Sequence, residues 1–203
     1  MAHKSVTAVA QQGLTKHTYR VNPDDRFLVG PKRVKGSGET YYGRKEEWRK
    51  QVLLDQVRSR SENFFKGGTV LVDDNCHWVR FSNFLLPDAW ARANGGRRFV
   101  PILLVIPDQF PDMPTNGFYL PDYVKAPPED RHYFERGYGG AFGGDAEQQR
   151  ILALAGWKWY CTHVIPGAWR PARIQRVGDW RKGDNLWHII TLCKEVLTNP
   201  AGD

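Results

Sequence analysis

Residues 99–120, FVPILLVIPDQFPDMPTNGFYL, decide the fold. The first eight of them are a continuous apolar run, suited to a strand covered by the rest of the chain. Pro107, Phe110, Pro111 and Pro114 follow in the pattern P-x-x-F-P-x-x-P. Proline fixes φ and offers no N–H to a ladder, so this segment ends the strand as a rigid elbow and re-aims what comes next. GFYL, residues 117–120, reads as the strand on its far side.

Upstream, two more strands are expected at 69–72 and 77–86. The turn signals DDNC and ARANGGRR separate them from each other and from the 99–106 strand, so the economical topology is a four-stranded antiparallel meander. Before the meander, residues 44–65 (RKEEWRKQVLLDQVRSRSENFF) contain no Gly or Pro. Trp48, Val52, Leu53, Val57 and Phe64 recur there at three- and four-residue intervals, which predicts an amphipathic helix closed by Gly67 and Gly68. Its other face carries Arg44, Lys45, Arg49, Lys50, Arg58 and Arg60. Such a run reads either as a solvated face or as a docking surface for a partner, with Arg44, Lys45, Arg49 and Lys50 as the candidate contacts.

Residues 1–43 are polar and turn-rich and are expected to form an N-terminal arm with one short strand at most; residues 44–203 form the domain. Within it, 121–150 is a long loop, rich in Gly, Pro, Tyr and Phe up to residue 145. A loop of that length in a compact domain is usually functional or mobile. A short helix is expected at 146–155. At the end, DNLWHIITLCKEVLTN (184–199) places Leu186, Ile189, Ile190, Cys193, Val196 and Leu197 on one helical face, with Asp184 as the expected N-cap. The class is therefore α+β: N-terminal helix, four-stranded antiparallel meander, C-terminal helix.

Composition narrows the function. With 203 residues, 41% of them apolar and 13% aromatic, the chain carries more core material than a disordered one. The net charge of +7 therefore sits on a folded surface and favours an acidic partner: nucleic acid, an acidic protein or a phosphorylated ligand. Cys76, Cys161 and Cys193 are odd in number and far apart, so they form neither a disulfide framework nor a CxxC knuckle. No apolar stretch suits a signal peptide or a membrane span, and the expected setting is the cytoplasm. There is no P-loop, no G-x-G-x-x-G after a strand, no G-x-S-x-G and no H-E-x-x-H, so no cofactor is implied. A zinc site from Cys76, His77, Cys161 and His163 is conceivable, but zinc-binding chains show tighter repeated spacings, and no metal is assigned.

The remaining chemistry lies in GWKWYCTHVIPGAWRP, residues 156–171, where Trp169 follows Cys161 by eight residues and Pro171 comes two later. The plain reading of Cys161 is a small core residue between Trp159 and Val164. Taken in order, however, the helix, the meander, the P-x-x-F-P-x-x-P elbow, the cysteine, the W-x-P and the final apolar helix resemble the ubiquitin-conjugating enzymes. The resemblance covers residues 44–198. It is nearest in style to the divergent bacterial branch (prokaryotic family E), on PDMPTNGFY, Trp169-Arg170-Pro171 and Asp184-Asn185-Leu186-Trp187-His188. It implies a ubiquitin-conjugating-enzyme fold and a transferase. A ubiquitin-like modifier would pass from an activating enzyme to Cys161 as a thioester and then to an amine of a protein target. A deconjugating metalloprotease in the same operon and a role in antiphage defence are implied as well.

One element of the family pattern is missing. The eukaryotic enzymes carry His-Pro-Asn shortly before the cysteine, where this chain reads ILALAGWK. Thr162 and His163 are the nearby polar groups, and Asn116 is distant in sequence. A thiolate is a good nucleophile and a good leaving group, so loading needs no dedicated base. The acceptor lysine must lose a proton before it attacks, and His163 is the candidate to take it.

Two other readings stand beside this one. A member of the same fold could be catalytically silent and act as a scaffold. Alternatively, Arg170, Arg173, Arg176, Arg181 and Lys182, interleaved with Trp169 and Trp180, could form a nucleic-acid surface on which bases stack.

Overall fold

A computed structural model describes residues 16–19, 41–65, 68–130, 152–162, 164, 166–172 and 177–199. The class is α+β. Strands β1 (Lys16–Tyr19), β2 (Val70–Asp73), β3 (Trp78–Leu85), β4 (Phe99–Val105), β5 (Gly117–Pro121) and β6 (Trp157–Cys161) form one sheet in chain order, each antiparallel to the next. The meander thus has six strands where four were expected. The two additions are β1, from the arm, and β6, whose last residue is Cys161. β6 escaped the sequence reading because it is only five residues long and Lys158 is its one polar position, too little alternation to mark a strand.

Helix α1 (Tyr41–Phe64) starts three residues before the expected boundary. Its Val52, Leu53 and Val57 are buried, as the periodicity requires. A short helix α2 (Asp88–Ala93) opens the β3–β4 connection, where only a turn was expected; at six residues it is too brief to show a period, although Pro87 ahead of Asp88 is a start signal. Gly95 and Gly96 then take positive φ to turn the chain into β4. Of the expected helix at 146–155, residues 152–154 are helical, Ala155 begins the turn into β6, and 146–151 lie outside the described residues, as does most of the 121–150 loop. Helix α3 (Leu186–Thr198) is capped by Asn185 rather than Asp184. Asn185 is extended, its side chain accepts from the Trp187 N–H at 3.0 Å, and His188 Nδ1 accepts the Asn185 N–H at 3.2 Å, which completes a capping box. Asp184 is engaged elsewhere: its backbone N–H donates to the Arg170 carbonyl and its carboxylate accepts from the Arg170 N–H.

Both long helices lie on one face of the sheet. Val52 and Leu53 of α1 and Leu186, Ile189, Ile190, Cys193 and Leu197 of α3 share one core with Val79, Phe81, Ile102, Leu104, Phe118, Leu120 and Tyr160. Phe65 stacks on Phe81 with ring centroids 4.2 Å apart, and Trp187 closes on the same ring at 6.0 Å. Fully buried Gln56 ties the two helices together: its side-chain oxygen accepts from the Leu186 N–H at 2.8 Å and its carbonyl from the Trp187 indole at 2.9 Å. Among the described residues no helix is long and apolar enough to cross a membrane.

Arg49 corrects the expectation of an exposed basic face on α1. It is buried, and its guanidinium donates to the carbonyls of Pro107, Asn75 and Cys76 at 3.1, 3.2 and 3.3 Å and to the Asp108 carboxylate at 3.3 Å. It therefore pins the β2–β3 hairpin and the start of the proline elbow to the helix. A planar fork of five donors suits that task, whereas a side chain so enclosed offers nothing to a partner. Lys50 is half-buried, and the side chains of Arg44 and Lys45 lie outside the described residues.

Candidate active site

The alternation of β4, β5 and β6 sends Leu103, Val105, Tyr119, Trp157, Trp159 and Cys161 to the face away from the helices. There Leu103, Tyr119 and Trp159 form a small buried cluster, with Trp78, Val105, Leu152, Trp157 and Cys161 packed half-open around it. Arg80 joins the rim, its guanidinium 5.5 Å from the centre of the Trp157 ring. Burial in this cluster pushes the Tyr119 phenol well above its ordinary range.

Cys161 ends β6 directly across from Gly117, the first residue of β5. Gly117 is a packing requirement: a Cβ there would lie 2.5 Å from Trp159 Nε1 and would also strike the Tyr160 carbonyl. The elbow runs immediately before Gly117, and buried Phe110 anchors it in the main core. Pro111 and Pro114 are buried and Pro107 is half-buried. On the other side of Cys161, Trp169 is buried and its indole N–H donates to the Pro111 carbonyl at 2.8 Å. Pro171 makes a parallel bridge with Asp184 beside the start of α3. Gly183 allows that approach, since a Cβ there would meet the Arg170 carbonyl at 2.7 Å. Elbow, thiol and W-x-P segment, which are scattered in sequence, thus gather at one end of the sheet.

The three cysteines are thiols, in distinct surroundings. Cys193 is sealed in the main core, where burial pushes its thiol well above the usual range. Cys76 sits in the β2–β3 turn at φ 59°, and burial raises its thiol too, against the pull of Arg49 and Lys50. Cys161 is half-buried and lies on the other face. Cys76 and Cys161 are therefore separated by the sheet and cannot share a metal ion. Among the described residues no group of three or more His, Cys, Asp and Glu is placed to hold one. His163 lies outside the described residues. Asn116, 45 residues from Cys161 in sequence, stands next to its strand partner Gly117. Only the pairing of β5 with β6 reveals that proximity.

The nucleic-acid reading loses its aromatic platform. Trp169 is committed to Pro111, and Trp180 is buried with its indole donating to Asp55. Arg181 does stack on Trp180, at 4.3 Å, but it caps a core residue, and no exposed ring remains there for a base.

No protein family, curated protein or solved structure matches the chain.

Proposed function

We propose that this chain is a ubiquitin-like-protein conjugating enzyme of the divergent bacterial branch, with a ubiquitin-conjugating-enzyme-like fold and Cys161 as its acyl carrier. The observation that supports this best is the hydrogen bond from Trp169 to the Pro111 carbonyl. It closes the two segments of the resemblance onto each other, around the strand end that carries the one cysteine outside the main core. A half-buried thiol at such an edge is held in place yet open to an incoming thioester, which attack by sulfur requires.

In this reading the Cys161 thiolate attacks the thioester carbonyl of the modifier carried by an activating enzyme. The enzyme's thiol leaves, and the acyl group then passes to a lysine of a protein target. His163 would take the proton that the lysine sheds. The setting is the cytoplasm of a bacterium, in an operon that also encodes a deconjugating metalloprotease, with antiphage defence as its role. Arg44, Lys45 and Lys50 remain candidates for docking the activating enzyme or the modifier; Arg49 does not.

The test is reconstitution with the cognate activating enzyme, modifier and ATP. A reductant-sensitive adduct should form on non-reducing gels. In Cys161→Ser it should be replaced by a reductant-resistant ester or be absent, and a persisting thiol-labile band in that variant would remove the assignment.

A further inference from the structure

Acyl transfer through a thiol develops negative charge on the carbonyl oxygen, and a donor already aimed at that oxygen commonly supplies the largest single share of the rate enhancement. The residues around Cys161 differ in whether they can provide one. Asn116 and Thr162 each adjoin the Gly117–Cys161 pair but lie just outside β5 and β6. Trp159 lies two residues before Cys161 on the same strand and shares its face and its cluster. Its indole occupies the space above Gly117, with Nε1 2.5 Å from the point where a Cβ of residue 117 would stand. Directly opposed residues in an antiparallel pair have Cβ atoms about 4.5–5.5 Å apart. The indole nitrogen therefore takes the place of the missing side chain that would face Cys161. An indole N–H can only donate.

Resting on the acyl-carrier reading of Cys161, we propose that Trp159 is a catalytic residue whose indole N–H stabilises the oxyanion formed at Cys161, and that Gly117 leaves it the space it occupies. The Cys161 sulfur, having released its proton to water, bonds to the thioester carbonyl carbon. The carbonyl π pair moves to oxygen, where the Trp159 N–H holds it. Collapse of the tetrahedral intermediate re-forms C=O and breaks the bond to the donor sulfur, which departs as a thiolate and recovers a proton from water. Any acceptor that the indole engages at rest is exchanged for the acyl oxygen. Trp159 is itself buried with Leu103 and Tyr119, and a hydrogen bond donated from so dry a setting counts for more.

Two reagents separate this role from simple packing. The N-acetylglycine thioester of 2-mercaptoethanesulfonate acylates a thiol through an oxyanion, whereas iodoacetamide alkylates it by displacement at carbon without one. Both modifications of Cys161 are followed by peptide mass spectrometry on the full chain. Trp159→Phe should lower the acylation rate roughly a hundredfold. Its alkylation rate should stay within about twofold of wild type, since thiol access and ionisation are unchanged. Replacing Trp159 by 3-benzothienylalanine keeps the bicyclic shape while sulfur takes the place of the N–H, and should give the same selective loss in a fully packed protein. If acylation and alkylation fall together, or neither changes, in the benzothienyl variant, Trp159 is only a wall and the proposal is overturned, with the role of Cys161 intact. If wild-type Cys161 is alkylated but never acylated, the acyl-carrier reading and this inference fall together.

Discussion

On the helix-covered face of the sheet, Val79, Phe81, Ile102, Leu104, Phe118 and Leu120 are sealed from water, and the helices add a second layer over them. On the other face three residues are buried, and Trp78, Val105, Trp157 and Cys161 stand half-open around them. Strand alternation builds both faces, yet they answer to different demands. The first removes apolar surface from water and holds the chain together, whereas the second keeps a thiol and several aromatic rings in contact with solvent. A residue's face therefore predicts how much stability its loss costs.

The comparison breaks most visibly at Phe81. Phe81→Ala removes a ring stacked between Phe65 and Trp187 and should cost about 3–5 kcal/mol of unfolding free energy. Trp157→Ala, on the open rim, should cost less, about 1–2 kcal/mol, because part of the ring is already in contact with water. Similar losses in urea titrations of the two variants would erase the distinction between the faces.

Arg49→Ala comes next. The guanidinium serves three carbonyls and a carboxylate, and its removal leaves those acceptors poorly satisfied next to the elbow, at a cost of about 2–3 kcal/mol. The sequence alone suggests the reverse, a charge on a solvated or docking face. Arg49 shares the i, i+3, i+4, i+7, i+8 stripe of Val52, Leu53, Gln56 and Val57, all of them buried, so helical geometry places it on the inner face, and its charge misleads when taken as a sign of exposure. Spacing along the helix carried no information that the β2–β3 turn and the elbow would supply its acceptors. That gap is characteristic of the whole reading. Strands β2 to β5, the main core and the C-terminal helix were legible because their apolar spacing is local. The nearness of Gly117 to Cys161, the closure of Trp169 on Pro111 and the burial of Trp180 are products of long-range pairing. Even Asn185, adjacent to the expected cap Asp184, was chosen by the tertiary contact that draws Asp184 to Arg170.

Buried ionisable groups sharpen the contrast through pH. Burial raises the Cys193 thiol, the Cys76 thiol and the Tyr119 phenol, so the folded chain keeps protons that the unfolded chain releases above the ordinary thiol and phenol ranges. The unfolded state then binds fewer protons, and stability falls as pH rises, by up to about 1.4 kcal/mol per pH unit for each group. Below the ordinary thiol range this contribution is fully present. Cys193→Ala, compared at matched temperature, should flatten the alkaline slope. An unchanged slope in denaturant titrations from pH 8 to 11 would show that Cys193 is not the protected thiol described here.

A smaller effect is expected at the helix cap. Asn185→Ala should cost about 1 kcal/mol, and Asn185→Asp should recover most of it by restoring the acceptor for the Trp187 N–H. If Asp184→Ala is the costlier of the two alanine changes only through its Arg170 contacts, removing the cap should still lower the melting temperature further in the double variant.

The central claim is that the open face carries the function and the closed face the fold, with Cys161 as the dividing case among three thiols. Site-resolved mass spectrometry of the chain after charging with activating enzyme, modifier and ATP tests it most directly, because it reads which sulfur holds the acyl group. The account predicts a thioester on the Cys161 peptide alone, with Cys76 and Cys193 recovered as thiols until the protein is unfolded. Modifier found on Cys76 or Cys193, or a charged species with Cys161 unmodified, would contradict it.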